Sequence, residues 1–159
     1  MDFLWHLTFI ISNWIPSALA YNLIFGKGKI LHFGPVGVSV AAAYATFITL
    51  SMTQSYALAI LSGTIVSLLI SALFAWLSLR LEPDGLGVMS IAVHLALLAI
   101  ILNSPSLTRG ALGIPRIPRM QGLESLQAIA IVSMLFAAAS VLFFLAINRS
   151  AFGRQVAAL

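Results

Sequence analysis

Charge is what this 159-residue sequence has least of: 8% of its residues are Asp, Glu, Lys or Arg, against roughly 25% in soluble domains. So little charge cannot cover a water-facing surface, which excludes an ordinary soluble globular domain. Cysteine is absent, so disulfides and thiolate metal sites are excluded and the redox compartment leaves no trace. The four acids, Asp2, Glu82, Asp84 and Glu124, all stand outside or at the edges of apolar runs. They offer no intramembrane carboxylate pair and no obvious proton relay. No His-Glu-x-x-His, P-loop or nucleophile-elbow pattern occurs, and His6, His32 and His94 are never four residues apart. The net charge of +4 is small and dispersed, which argues against a nucleic-acid surface. No catalytic residue, cofactor or metal is expected.

What the chain does have is hydrophobic residues, at 61%, with a mean hydropathy of +1.08. They fall in five runs, residues 3–25, 34–50, 56–79, 86–102 and 126–147, each near or above the length that crosses a hydrocarbon core of about 30 Å. The expected fold is therefore an all-α, polytopic transmembrane bundle of about five spans. Only Asp2 precedes the first run, so it reads as a retained span rather than a signal peptide. The breaks between runs are Gly26-Lys27-Gly28-Lys29, the polar stretch 51–55, a charged turn from Arg80 to Gly85, and a long connection over residues 103–122.

Five spans put the two ends on opposite sides. A cytoplasmic C-terminus leaves Lys27, Lys29, Arg80, Arg149 and Arg154 inside and Arg109, Arg116 and Arg119 outside. Five cations against three is the bias that the positive-inside rule favours. The third run carries Gly63, Ser67, Ser71 and Ala75 at spacings of four, a stripe that lets another helix approach closely. Ala41 to Ala43 and Ala137 to Ser140 offer similar surfaces. Polar side chains within or at the ends of spans, Ser39, Tyr44, His94 and Asn103, are the weak candidates for lining a path. The connection from Ser106 to Arg119 is rich in turn-formers and arginine, and reads either as a solvated loop or as a semi-ordered cap over the bundle mouth.

Four patches, in order along the chain, resemble the permease subunit of branched-chain amino-acid ABC transporters. The first runs from Asn22-Leu23-Ile24-Phe25-Gly26 through Phe33-Gly34 to Ala43-Tyr44. The second is Leu79-Arg80-Leu81-Glu82-Pro83-Asp84-Gly85. The third is Ser106-Leu107-Thr108 with Gly110, Gly113 and Ile117-Pro118-Arg119. The fourth is Arg149-Ser150-Ala151-Phe152-Gly153-Arg154 and the residues to Leu159. The resemblance implies import of a small amphipathic solute by alternating access. It also implies a second permease subunit, cytoplasmic ATPase subunits and a periplasmic or lipid-anchored solute-binding protein as partners, in the bilayer of a bacterial inner membrane.

On the same resemblance, Arg149, Ser150, Phe152, Gly153 and Arg154 match the start of the cytoplasmic coupling helix that meets an ATPase. The chain departs from the family pattern at five positions. His32 and Pro35 stand where relatives have Ser and His, Leu95 and Leu98 where they often have an acid and an arginine, and Arg109 in place of a glycine. The match also reads as an N-terminal fragment ending inside the coupling helix, a single transmembrane permease domain over residues 1–159. Urea or short amides are the alternative substrates, and a non-transporting assembly subunit or a histidine-based membrane enzyme the alternative roles.

Overall fold

The computed structural model describes residues 2–115 and 117–157; Arg116, counted above among the outside cations, and Ala158 and Leu159 of the fourth patch lie outside the described residues. Its elements are α1 (Asp2–Tyr21), continued by a π-helical segment (Asn22–Lys27), α2 (Gly34–Thr53), α3 (Tyr56–Ser78), α4 (Pro83–Leu102), the short α5 (Pro105–Thr108), a 3-10 turn (Gly110–Leu112), α6 (Leu126–Arg149) and α7 (Ala151–Ala157). Among the described residues, five helical stretches are long and apolar enough to cross a membrane, the first running 26 residues from Asp2 to Lys27. The chain is an all-helical, multi-pass membrane protein.

Each span matches an apolar run, and the differences lie at the ends. The polar break after the second run is largely helical, because α2 continues to Thr53 before Gln54 caps it in the left-handed conformation, its N–H on Leu50 O at 2.9 Å. The charged turn is likewise shorter than the sequence suggests. Pro83 opens α4, where its missing N–H is not needed, and Asp84 then lies in the first turn, favourable at a helix N-terminus.

The described chain forms two compact units, residues Met1–Ile30 with Arg119–Leu159, and Leu31–Pro118. In the first, α1 packs along α6. The α6 positions spared from full exposure include Ala130, Ser133, Ala137, Ser140, Phe144 and Ile147, an alternation of three and four that marks one seam of a helix. On α1, Trp5, Thr8, Ser12, Ile15 and Leu19 repeat in the same way. Ala130 and Ala137 are buried, so small residues bring the two backbones together. Two polar clasps fix the pairing: Asn13 Nδ2 donates to Ser133 Oγ at 3.2 Å, and Lys27 Nζ to Asn148 Oδ1 at 2.7 Å. Both partners advance together along the sequence, so α1 and α6 run parallel.

In the second unit, α2 and α3 form an antiparallel hairpin across the two-residue connection Gln54-Ser55. Ser55 caps α3 by accepting from Leu58 N–H. Within the pair, Ser62 Oγ donates to Ala45 O at 3.2 Å. The small-residue stripe of α3 is buried only at Gly63, while Ser71 and Ala75 are exposed. The seam follows the buried Ala59, Gly63 and Phe74 instead. α4 then packs along α2.

Candidate functional site

A buried polar cluster forms where the start of α2 meets α4. Gly87, Ser90 and His94 sit at spacings of three and four, so they share one face of α4. Ser90 is fully buried; its hydroxyl accepts from Phe33 N–H at 2.8 Å and lies 2.7 Å from Gly87 O. One helical turn on, Gly37 of α2 faces His94. A Cβ added at Gly37 would stand 3.1 Å from His94 Cα and 3.2 Å from its Nδ1, so this glycine permits the approach. Nδ1 of His94 is buried and makes no hydrogen bond.

His32 approaches α2 from the preceding loop. Its ring meets Phe74 edge-on, 4.7 Å between centroids, and its Nδ1 is likewise buried without a partner. Burial holds the His32 imidazole below its ordinary pKa, since desolvation penalises the charged form.

Tyr44 lies seven residues after Gly37, on the same face of α2. With Ala43 and Phe47 it lines an open hollow of about 220 Å³, completed by Ile114 and Ile117 from the long connection. That connection is folded back onto α2 by Thr108. The buried Thr108 Oγ1 lies 2.5 Å from Ile101 O and 2.8 Å from Ser104 O, and it accepts from Gly110 N–H at 3.1 Å. A carbonyl at the end of α4, otherwise without a helical partner, is thereby met. Gly110 (φ +57°) and Gly113 (φ +67°) take the left-handed backbone that glycine adopts readily. Arg109 adopts it too, with φ 62°.

The other two path candidates stand apart from these groups. Ser39, two residues past Gly37 and so on the opposite side of α2, is exposed, its hydroxyl on Pro35 O at 2.8 Å. Asn103 caps the end of α4, exposed, with Nδ2 donating to Ala99 O at 2.8 Å. The structure thus groups His94 with Gly37, and Tyr44 with Ile117. Ser90 went unnoticed in the sequence, although Gly87-x-x-Ser90-x-x-x-His94 is a legible helical face. Among the described residues no three His, Asp or Glu side chains converge as a metal site would require.

At the far end of the first unit, the Arg149-to-Arg154 segment is a built joint. Ser150 breaks α6 and starts α7: its Oγ lies 2.6 Å from Ile147 O and accepts from Gly153 N–H at 3.2 Å. Gly153 is buried against the end of α6, where a Cβ would stand 2.9 Å from Asn148 Cα and 3.0 Å from Asn148 O. Arg154 Nη1 donates to Arg149 O at 2.9 Å. Phe152 is 57% exposed, and both arginines project from the surface. Pro118 and Arg119, the end of the third patch, are exposed as well, and Arg119 Nη1 donates to Glu124 O at 2.6 Å.

Compared with known proteins, the chain matches none of the curated proteins and none of the solved structures. One family model does match it, described as "Branched-chain amino acid transport system / permease component", and it covers residues 6–159. That span takes in the first membrane-crossing helix from His6 on, the other four, the folded connection and the α6–α7 joint, and the chain belongs to this permease family.

Proposed function

We propose that this chain is a membrane-spanning permease subunit of an ABC-type importer for branched-chain or related amino acids. Its solute moves by alternating access, and the energy comes from ATP hydrolysis in partner ATPases. The observation that carries the reading is the family match over residues 6–159. The joint at Ser150 supports the coupling role, because it presents the exposed Phe152 and two arginines on a short helix anchored to the last span. In this reading Arg149, Ser150, Phe152, Gly153 and Arg154 meet an ATPase, and the C-terminal end lies in the cytoplasm of a bacterial inner membrane.

Tyr44 of α2 and His94 of α4 line the path beside the Gly37 face of α2, and Ser39, across that helix, and Asn103, at the end of α4, are the weaker candidates. The Thr108-to-Arg119 connection is the cap on that face. A second permease subunit, paired ATPases and a solute-binding protein complete the assembly, and no reaction is catalysed by this chain. The test is uptake of labelled leucine into cells or proteoliposomes carrying the chain with those partners. ATP-dependent accumulation that falls severalfold in Phe152→Ala, with the protein still in the membrane, is the expected result. Accumulation that does not need ATP, or none with any aliphatic amino acid, sinks the proposal.

A further inference from the structure

Between its two polar clasps the α1–α6 pair does not close. Pro16, Leu19, Ala20 and Leu23 of the first span face Ser140, Phe143, Phe144 and Ile147 of α6 across an apolar groove of about 280 Å³. Small side chains, Ala20 and Ser140, keep it open, and it stops where Lys27 Nζ meets Asn148 Oδ1. Pro16 precedes Lys27 by eleven residues, about 16 Å of helix at 1.5 Å per residue. The groove itself covers seven residue steps of each helix, Pro16 to Leu23 and Ser140 to Ile147, about 10 Å, and with the turn that carries Lys27 it reaches about halfway through a 30 Å hydrocarbon core.

Its mouth is strongly one-signed. Lys27, the exposed Lys29, and Arg149 and Arg154 gather at that end of the unit, whereas the unit's two acids, Asp2 and Glu124, begin α1 and precede α6 at the other. An apolar slot that ends one turn short of several cations complements a molecule with an acyl tail and an anionic head. We propose that this groove is a binding site for an anionic phospholipid, one acyl chain between α1 and α6 and its phosphate against Lys27, Lys29 and Arg149. The site is independent of the transport reading, since it needs neither solute nor ATPase.

Native mass spectrometry of the full chain, released from micelles containing phosphatidylglycerol and phosphatidylcholine of identical acyl chains, tests it. Phosphatidylglycerol is expected to be retained preferentially. That preference should fall about fivefold for each cation removed in Lys29→Gln and Lys27→Gln. It should fall as well in Ser140→Phe, which fills the groove and leaves every charge in place. Lys29 is exposed and outside the helix pair, so its variant reports on the headgroup without disturbing the fold. Equal retention of the two lipids overturns the site. A preference that follows the lysines but ignores Ser140→Phe puts the lipid on the surface and overturns the groove. A photo-crosslinker at Leu19 that captures a protein helix instead of lipid overturns it as well.

Discussion

Two residues, His32 and Arg109, each make a separate expectation. His32 sits half-buried against Phe74 with its pKa lowered by desolvation. The unfolded chain therefore binds a proton more readily than the folded one. Stability is full above the unfolded value of 6.5, and it is lost as the pH falls through that value towards the folded one. Thermal unfolding of the protein in nanodiscs should show a lower midpoint at pH 5.5 than at pH 7.5, and His32→Phe should flatten the difference. Arg109 holds a left-handed φ of 62°, a conformation that glycine adopts more readily. A side chain there costs about 1–2 kcal/mol, offset in part by the greater freedom glycine gives the unfolded chain. Arg109→Gly should stabilise the protein by about 0.5–1 kcal/mol and Arg109→Val should destabilise it, both read from denaturation midpoints. A single sequence lists residue types but no dihedral angles, so the tension at Arg109 was not legible in it.

At the scale of the element, hydrophobic run length located every span, because bilayer thickness sets helix length almost regardless of sequence detail. Side-chain grouping was harder to read. Gly63, Ser67, Ser71 and Ala75 lie on one face at regular spacing, yet the α2–α3 seam follows Ala59, Gly63 and Phe74. Spacing gives a face, and the crossing of two helices decides how much of it is used. His94 and Tyr44 were legible as polar groups in spans, while the buried Ser90, one turn before His94, was not. A serine looks neutral until a backbone N–H from elsewhere in the chain arrives to meet it. The α6–α7 joint makes its own prediction. Gly153→Ala forces a Cβ to within about 3 Å of the Asn148 backbone, an overpacking that costs about 1–3 kcal/mol. Trypsin should then cut faster at Arg149 and Arg154, and an unchanged rate would mean that the joint yields without strain.

For the whole molecule, the natural lack of cysteine makes topology directly measurable. Single cysteines at Lys29, Arg80 and Gln155 should react with an impermeant maleimide only from the cytoplasmic side, and those at Gln54 and Gln121 only from the other. Labelling of Lys29→Cys and Gln155→Cys from opposite sides would contradict the parallel packing of α1 and α6. That parallel pairing also sets a schedule for synthesis. The chain leaves its first unit after Ile30 and returns at Arg119, with the whole second unit made in between. α1 must therefore enter the membrane and wait for α6. At about 5–20 residues per second, the 122 residues from Lys27 to Arg149 take of the order of ten seconds to emerge. Throughout that interval Asn13 and Lys27 have no α6 partner to meet. An insertase or a membrane chaperone holding α1 would find it in this state on every nascent chain.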